Sequence, residues 1–237
     1  MENETERYIV VSKTEEGPNI VTLTVTCADG SMPVFTAGQY INIYFPELDT
    51  PEGKAYSISS APHEPAFSIT VRGIGEFSNR LCALSTGDTI SASLPYGFFC
   101  PESGESDIVM LAAGIGITPF RSMIRDIAHH NPKRRIYLFH SIRTSSDAIF
   151  QKELTDLKDK LSHLSVSYFV TRESKSSIPA AFGRRVVADD ILSQAVDVEN
   201  TEFLMCGSIP FTRDMWRALR HAGVSEDRMY TEAFFSH

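Results

Sequence analysis

The chain has 237 residues, 42% hydrophobic and 22% charged, with a formal net charge of −8 at pH 7, enough length for two modest soluble domains with separate cores. The negative balance argues against general affinity for nucleic acid or anionic membrane, both of which need clustered positive charge. Cys27, Cys82, Cys100 and Cys206 include no C-x-x-C pair, which disfavours a zinc or iron–sulfur centre and fits a reducing compartment. No apolar run approaches ~18 residues and the acidic first residues lack an apolar signal core, so the sequence predicts a cytoplasmic, non-membrane protein.

The first hundred residues read as strands. Segments 8–11, 20–26, 40–45, 55–59, 67–72 and 89–94 are rich in β-branched or aromatic residues, and Gly, Pro, Asp or Asn separates most of them. Val21, Leu23 and Val25 alternate with Thr22, Thr24 and Thr26, the period of a half-buried strand. Six strands predict a small antiparallel barrel, interrupted by a helical patch near 77–84. Residues 101–107, Pro-Glu-Ser-Gly-Glu-Ser-Asp, read as a linker, which divides the chain into domains 1–101 and 102–237. Beyond it, 108–112 is a continuous apolar run, expected of a strand covered on both faces. Phe120, Met123, Ile124 and Ile127 then share a helical face behind Pro119. Strand 136–139, a helix marked by Phe150, Leu154, Leu157 and Leu161, strand 166–170, a short helix near 189–195, strand 203–206, helix 211–221 and strand 229–231 follow. Alternating strand and helix predict a parallel sheet.

Two glycine-containing turns stand out. Gly114-Ile-Gly116 lies between a strand and a helix, where glycine lets backbone approach a diphosphate and the helix start offers unpaired N–H groups. The same residues also suit a tight turn without a ligand, and the third glycine of the usual dinucleotide fingerprint is missing. Gly75-Glu-Phe-Ser78-Asn79-Arg-Leu81 reads as a turn into a helix, with Ser78 either capping it or facing an anion. Arg121, Arg125, Lys133, Arg134 and Arg135 form either a basic face for an acidic partner or a solvated helix end and loop.

Five stretches in one order resemble the ferredoxin–NADP⁺ reductase family. Lys54-Ala-Tyr56-Ser57-Ile-Ser-Ser60 is similar to its R-x-Y-S-x-x-S stretch, and Gly75 to Leu81 to its G-x-x-S-x-x-L. Residues 113–119 resemble its G-[TI]-G-x-x-P loop, Cys206-Gly207-Ser208 its C-G-[PL], and Glu232-Ala-Phe234 its E-x-[FY]. The resemblance implies a six-stranded antiparallel Greek-key β-barrel that binds FAD, followed by a Rossmann-like five-stranded parallel α/β domain that binds NAD(P). It implies a flavin site at Lys54, Ala55, Tyr56, Ser57, Ile69, Val71, Arg72, Gly75, Phe77, Ser78 and Asn79. Tyr56 would pack on the flavin ring and Ser57 would hydrogen-bond near N5, while Arg72, Ser78 and Asn79 would lie at the diphosphate. Gly114, Gly116, Thr118, Pro119 and Gly207 would meet the nicotinamide nucleotide, with Cys206 and Glu232 beside its reactive ring and Phe234 covering the flavin. Ser57, Cys206 and Glu232 form the implied catalytic set, and no metal is implied.

The implied activity is an FAD-dependent NAD(P)H oxidoreductase that passes hydride from nicotinamide to flavin, then electrons to a separate iron–sulfur or flavodoxin-like acceptor protein. A free-flavin or quinone reductase and a flavin- or nucleotide-sensing module without turnover are the alternatives. The G-x-x-S-N-x-L form favours FAD over FMN. Arg143, Arg172 and Arg184, which follow the second and third predicted strands of the α/β half, favour NADPH over NADH, and a monomer is expected. The chain departs from the family pattern in carrying Lys54 for arginine, Ala113 for a further glycine, and three residues after Phe234.

Overall fold

The computed structural model describes residues 5–102, 104, 106–194 and 197–234. Ser103 and Glu105 of the predicted linker and Ala195 of one predicted helix lie outside the described residues. The chain divides into two units, Met1–Cys100 with Arg121–Asp126, and Pro101–Phe120 with Ile127–His237. No described helix is long and apolar enough to cross a membrane.

The first unit contains β1 (Thr5–Gly17), β2 (Ile20–Cys27), β3 (Tyr40–Tyr44), β4 (Lys54–Ser57), β5 (Phe67–Arg72), α1 (Glu76–Cys82) and β6 (Thr89–Ser93). Its strands pair antiparallel in the order β4-β3-β6-β1-β2-β5. An antiparallel bridge between Ile58 and Ile69, with the Ser59 N–H donating to the Ser68 carbonyl at 2.8 Å, joins the outer strands and closes the barrel. Closure removes the unpaired edges that an open sheet would present. Alternation delivers Leu23, Val25, Ile41, Ile43, Phe67 and Ile69 to the core, where Tyr8 stacks on Phe67 with centroids 5.6 Å apart. Strand β1 is much longer than the predicted 8–11. Its second half is Lys, Thr and Glu with no apolar alternation; pairing with β2 as far as Gly17 opposite Ile20 holds it extended, and Asn19 turns the hairpin at φ 57°.

The second unit contains β7 (Asp107–Ala113), α2 (Thr118–His130), β8 (Ile136–Ile142), α3 (Gln151–Lys160), β9 (Leu164–Val170), α4 (Ala188–Leu192), β10 (Thr201–Ser208), α5 (Ile209–His221) and β11 (Met229–Phe234). The sheet is parallel, in the order β11-β10-β7-β8-β9. The chain starts at its centre, builds outward through β8 and β9, then returns to the other side of β7 as β10. In such a sheet the connections on either side of β7 leave in opposite directions, and the carboxyl ends of β7 and β10 are where open α/β sheets form a ligand crevice.

The opposite end of the same two strands is tied by a buried charge network. Arg134 pairs with Glu202 at 2.5 Å and donates to the carbonyls of Ser106 at 2.7 Å and Glu102 at 3.1 Å; the Glu102 N–H donates to the other Glu202 oxygen at 2.8 Å. Burial raises the Glu202 carboxyl pKa, with the Glu102 N–H and the Arg134 charge pulling it back down. Four of the five cations read as either a basic face or a solvated helix end and loop have partners within their own unit. Arg135 pairs with Asp107, Arg125 with Glu64, and Arg121 donates to the Ser59 carbonyl at 2.8 Å, so these cations are held by internal partners.

Breaking a buried ion pair from one side leaves an uncompensated charge. Arg134→Met should lower unfolding stability by about 3–5 kcal/mol, and Arg134→Met with Glu202→Leu should recover most of the loss. Urea midpoints check both; a double variant as unstable as the single one would contradict the assignment.

Candidate functional site

In the first unit the candidate residues sit on β4, at the end of β5 and on the turn into α1. Strand alternation buries Ser57 and leaves Lys54 and Tyr56 half-buried and Ala55 exposed. The Tyr56 ring lies nearly parallel to that of buried Phe77, with centroids 6.2 Å apart and 17° between planes, and Lys54 Nζ stands 5.6 Å from the Phe77 centroid. Burial pushes the Tyr56 phenol pKa up, so the ring stays neutral throughout the physiological range.

Ile69 and Val71 are fully buried in the barrel core, so what they can offer a ligand is backbone. Arg72 follows them, half-buried at the end of β5. The turn beyond it is tightly built. A β-carbon on Gly73 would lie 2.5 Å from Asn79 Oδ1, and Asn19 Nδ2 donates to the Gly73 carbonyl. The Ser78 hydroxyl accepts the N–H groups of Ile74 at 2.9 Å and Gly75 at 3.1 Å and donates to the Gly75 carbonyl at 3.1 Å. Of the two roles open to Ser78, these bonds are those of a residue that closes the turn before a helix.

In the second unit the candidates gather at the carboxyl ends of β7, β10 and β11. Gly114 leaves β7 at φ +54°, a left-handed conformation suited to glycine, and a β-carbon there would meet nothing within 4 Å. Gly116 has a different reason to be glycine: its β-carbon would stand 2.3 Å from the Cys206 carbonyl oxygen. Gly207 mirrors it, with a β-carbon 2.7 Å from the Ala113 side chain. The Thr118 hydroxyl donates to the Ile115 carbonyl at 3.1 Å and Pro119 opens α2, so the turn Gly114–Ile117 runs directly into the helix.

Cys206 lies opposite Glu232 in the β10–β11 register, and Gly207 and Ser208 lie opposite Ala233 and Phe234. Cys206 is fully buried, and burial, with the Glu232 charge second, raises its thiol pKa well above the usual value. Phe234 is half-buried and paired within the sheet.

Of the three arginines, Arg143 and Arg172 are neighbours: the Arg172 N–H donates to the Arg143 carbonyl at 2.8 Å, just past β8 and β9. Arg184 is engaged elsewhere. Its guanidinium grips Asp190 through two hydrogen bonds and lies 5.5 and 5.2 Å from the Phe169 and Phe182 centroids. Sequence reasoning missed His140, which is fully buried on β8 with Nε2 3.0 Å from the Gly114 carbonyl oxygen. The available signal was a single imidazole in the otherwise apolar run of 136–140.

These surroundings fit the two implied groups. Gly75 and Gly114 each face space that a β-carbon would enter without contact, which suits the approach of a diphosphate to backbone. Tyr56 offers an aromatic face, Ser57 a hydroxyl, and Lys54 and Arg72 positive charge, a donor set matched to a flat aromatic ring with an anionic tail.

The two crevice glycines separate by substitution. Gly116→Ala should lower unfolding stability by about 2–3 kcal/mol, because carbonyl backbone must move, whereas Gly114→Ala should lower it by about 1 kcal/mol through backbone conformation alone. Chemical denaturation of both variants checks this order, and a reversed order would contradict it.

Residues 110–217 match the oxidoreductase NAD-binding domain. A flavohemoprotein of Bordetella pertussis is 28% identical over 96% of this chain, and the chain spans 60% of that relative's length. The flavohem-like FAD/NAD-binding domain of nitric oxide dioxygenase from Vibrio cholerae superposes with a TM-score of 0.86 at 23% identity, covering 97% of this chain and 98% of the other. A ferredoxin NADP⁺ reductase from Neisseria gonorrhoeae with bound FAD and NADP gives 0.83 at 23%, covering 99% and 100%. An antiparallel barrel followed by a parallel sheet reversed at β7 gives the chain the fold of these two solved structures, and its second unit carries the match to the oxidoreductase NAD-binding domain.

Proposed function

We propose that the chain is an FAD-dependent NAD(P)H reductase that supplies electrons to an acceptor protein with a one-electron centre outside these 237 residues. The observation that carries this reading is the sheet reversal between β7 and β10, where Gly114, Gly116, Cys206 and Gly207 meet at one pair of strand ends. When bound, the two cofactors would supply the redox chemistry, hydride transfer between nicotinamide and flavin followed by release of single electrons to the acceptor.

The chain's own residues bind and orient. Tyr56, supported by Phe77, offers a flat neutral face, and buried Ser57 presents a hydroxyl from a strand fixed by pairing on β3. Thr118 and His140 hold the turn that would receive the nicotinamide nucleotide's diphosphate. The raised thiol pKa keeps Cys206 protonated, so it serves as a small neutral surface and weak donor and not as a nucleophile. Glu232, beside it in register, supplies the carboxylate of the implied set. Anaerobic NADPH added to the FAD-loaded protein should bleach the flavin absorbance within seconds; nucleotide binding without bleaching would instead identify a sensor.

NADPH is the proposed donor. Arg143 and Arg172 sit side by side beyond β8 and β9, where the sheet offers its carboxyl end, and together outweigh the single charge of Glu173. That carboxylate is held below its usual pKa range by hydrogen bonds from the Ser145 hydroxyl and backbone. Arg184 takes no part, because Asp190 already receives its guanidinium. Arg143→Ala and Arg172→Ala should each raise KM for NADPH about tenfold while changing KM for NADH less than about twofold. Steady-state kinetics with both donors checks this, and an unchanged preference in both variants would remove the proposal.

A further inference from the structure

We infer that His140 is a positioning residue for the nucleotide diphosphate, acting through the peptide that joins Gly114 to Ile115. The inference rests on the proposed binding of a nicotinamide dinucleotide and concerns how the chain prepares for it.

His140 is paired with Ala112 across the β7–β8 ladder, near the carboxyl ends of both strands. It is fully buried, with Nε2 3.0 Å from the Gly114 carbonyl oxygen. A carbonyl only accepts, so Nε2 carries the proton and donates. Gly114 stands at φ +54° between β7 and the turn into α2, and a neighbouring peptide is free to rotate about such a residue unless something holds it. The Gly114–Ile115 peptide is trans, as are all the described peptides. In a trans peptide the carbonyl and the N–H point in opposite directions. Anchoring the carbonyl to a buried imidazole therefore turns the Ile115 N–H away from the interior. At the first turn of a helix that N–H has no partner along the chain and points toward whatever lies beyond the helix start.

Two further contacts stiffen the turn without performing this task. Thr118 holds the carbonyl of Ile115, one peptide later, and Gly116 lies against the Cys206 carbonyl. Neither fixes the plane of the 114–115 peptide. His140 does, and it reaches the turn from a strand whose register is set along its length by both neighbours.

The test is calorimetric binding to the oxidised, FAD-loaded full chain, so no turnover is involved. The probes are NADP⁺, which carries the diphosphate, and adenosine 2′-monophosphate, which does not. His140→Phe keeps ring volume and loses the donor; His140→Gln keeps an N–H at similar reach. His140→Phe should weaken NADP⁺ about tenfold and leave adenosine 2′-monophosphate within about twofold, and His140→Gln should restore most of the NADP⁺ affinity. Equal losses for both probes, or no loss for either, would overturn the inference. Should His140→Phe fail to fold, the shorter amide of His140→Asn replaces it, and equal NADP⁺ affinities for the Asn and Gln variants would overturn it as well. If the unaltered protein binds neither NADP⁺ nor NAD⁺, the proposed function itself fails; if it binds and His140→Phe binds as tightly, the positioning role alone fails.

Discussion

The second unit depends on two backbone approaches at the reversal of its sheet. Gly116 passes under the Cys206 carbonyl and Gly207 against Ala113, each too close for any side chain. β-carbons here would wedge apart the ends of β7 and β10, the strands that define the crevice. The chemically interesting groups hang from these same ends: the turn held by Thr118 and His140, the start of α2, and Cys206 in register with Glu232. The Arg134–Glu202 network clamps the opposite ends of β7 and β10. The sheet is thus fixed at its amino ends by charge and shaped at its carboxyl ends by the absence of side chains.

The barrel reaches rigidity by a different route. β4 is four residues long, and such a strand is a weak platform by itself. It is pinned on one side by β3, and immediately beyond it by the bridge that closes the barrel onto β5. A chain of buried hydroxyls backs that closure. Thr22 meets Thr70 at 2.9 Å, Thr70 donates to Ser59 at 3.0 Å, and Ser59 meets Ser68 at 3.0 Å. These residues alternate with core residues Leu23, Ile69 and Val71, so the ladder lies on the face away from the core and its polar groups satisfy one another. Tyr56 and Ser57 thereby inherit fixed backbone positions, as their proposed part in orienting a ring requires.

How far this was legible in the sequence depends on the range of the interaction. Residues 20–26 and 108–112 announced themselves by alternation and by an unbroken apolar run, because each pattern records which faces a strand buries. The second half of β1 carries no such record, since its extension comes from pairing with β2 and not from its own side chains. Gly114 and Gly116 looked alike as letters, yet one serves a left-handed turn and the other a contact with β10, some ninety residues later in the chain. Arg184 read as one of three arginines favouring NADPH and Arg134 as part of a basic face or solvated loop, because Glu202, Phe169, Phe182 and Asp190 come into play only through folding. Residue type and period survive in a sequence; the identity of a distant partner does not.

Charge completes the argument for the crevice. A buried thiol loses its proton only at the expense of desolvating a thiolate, and the Glu232 carboxylate in the next strand adds repulsion. Both effects act in the same direction, and the thiolate needed for covalent chemistry is suppressed. Cys206 is therefore suited by size and neutrality to stand close to a planar ring without reacting with it. In the proposed reading the reactive steps are left to the bound redox groups, and the chain's contribution is shape, hydrogen-bond direction and one carboxylate at a fixed register.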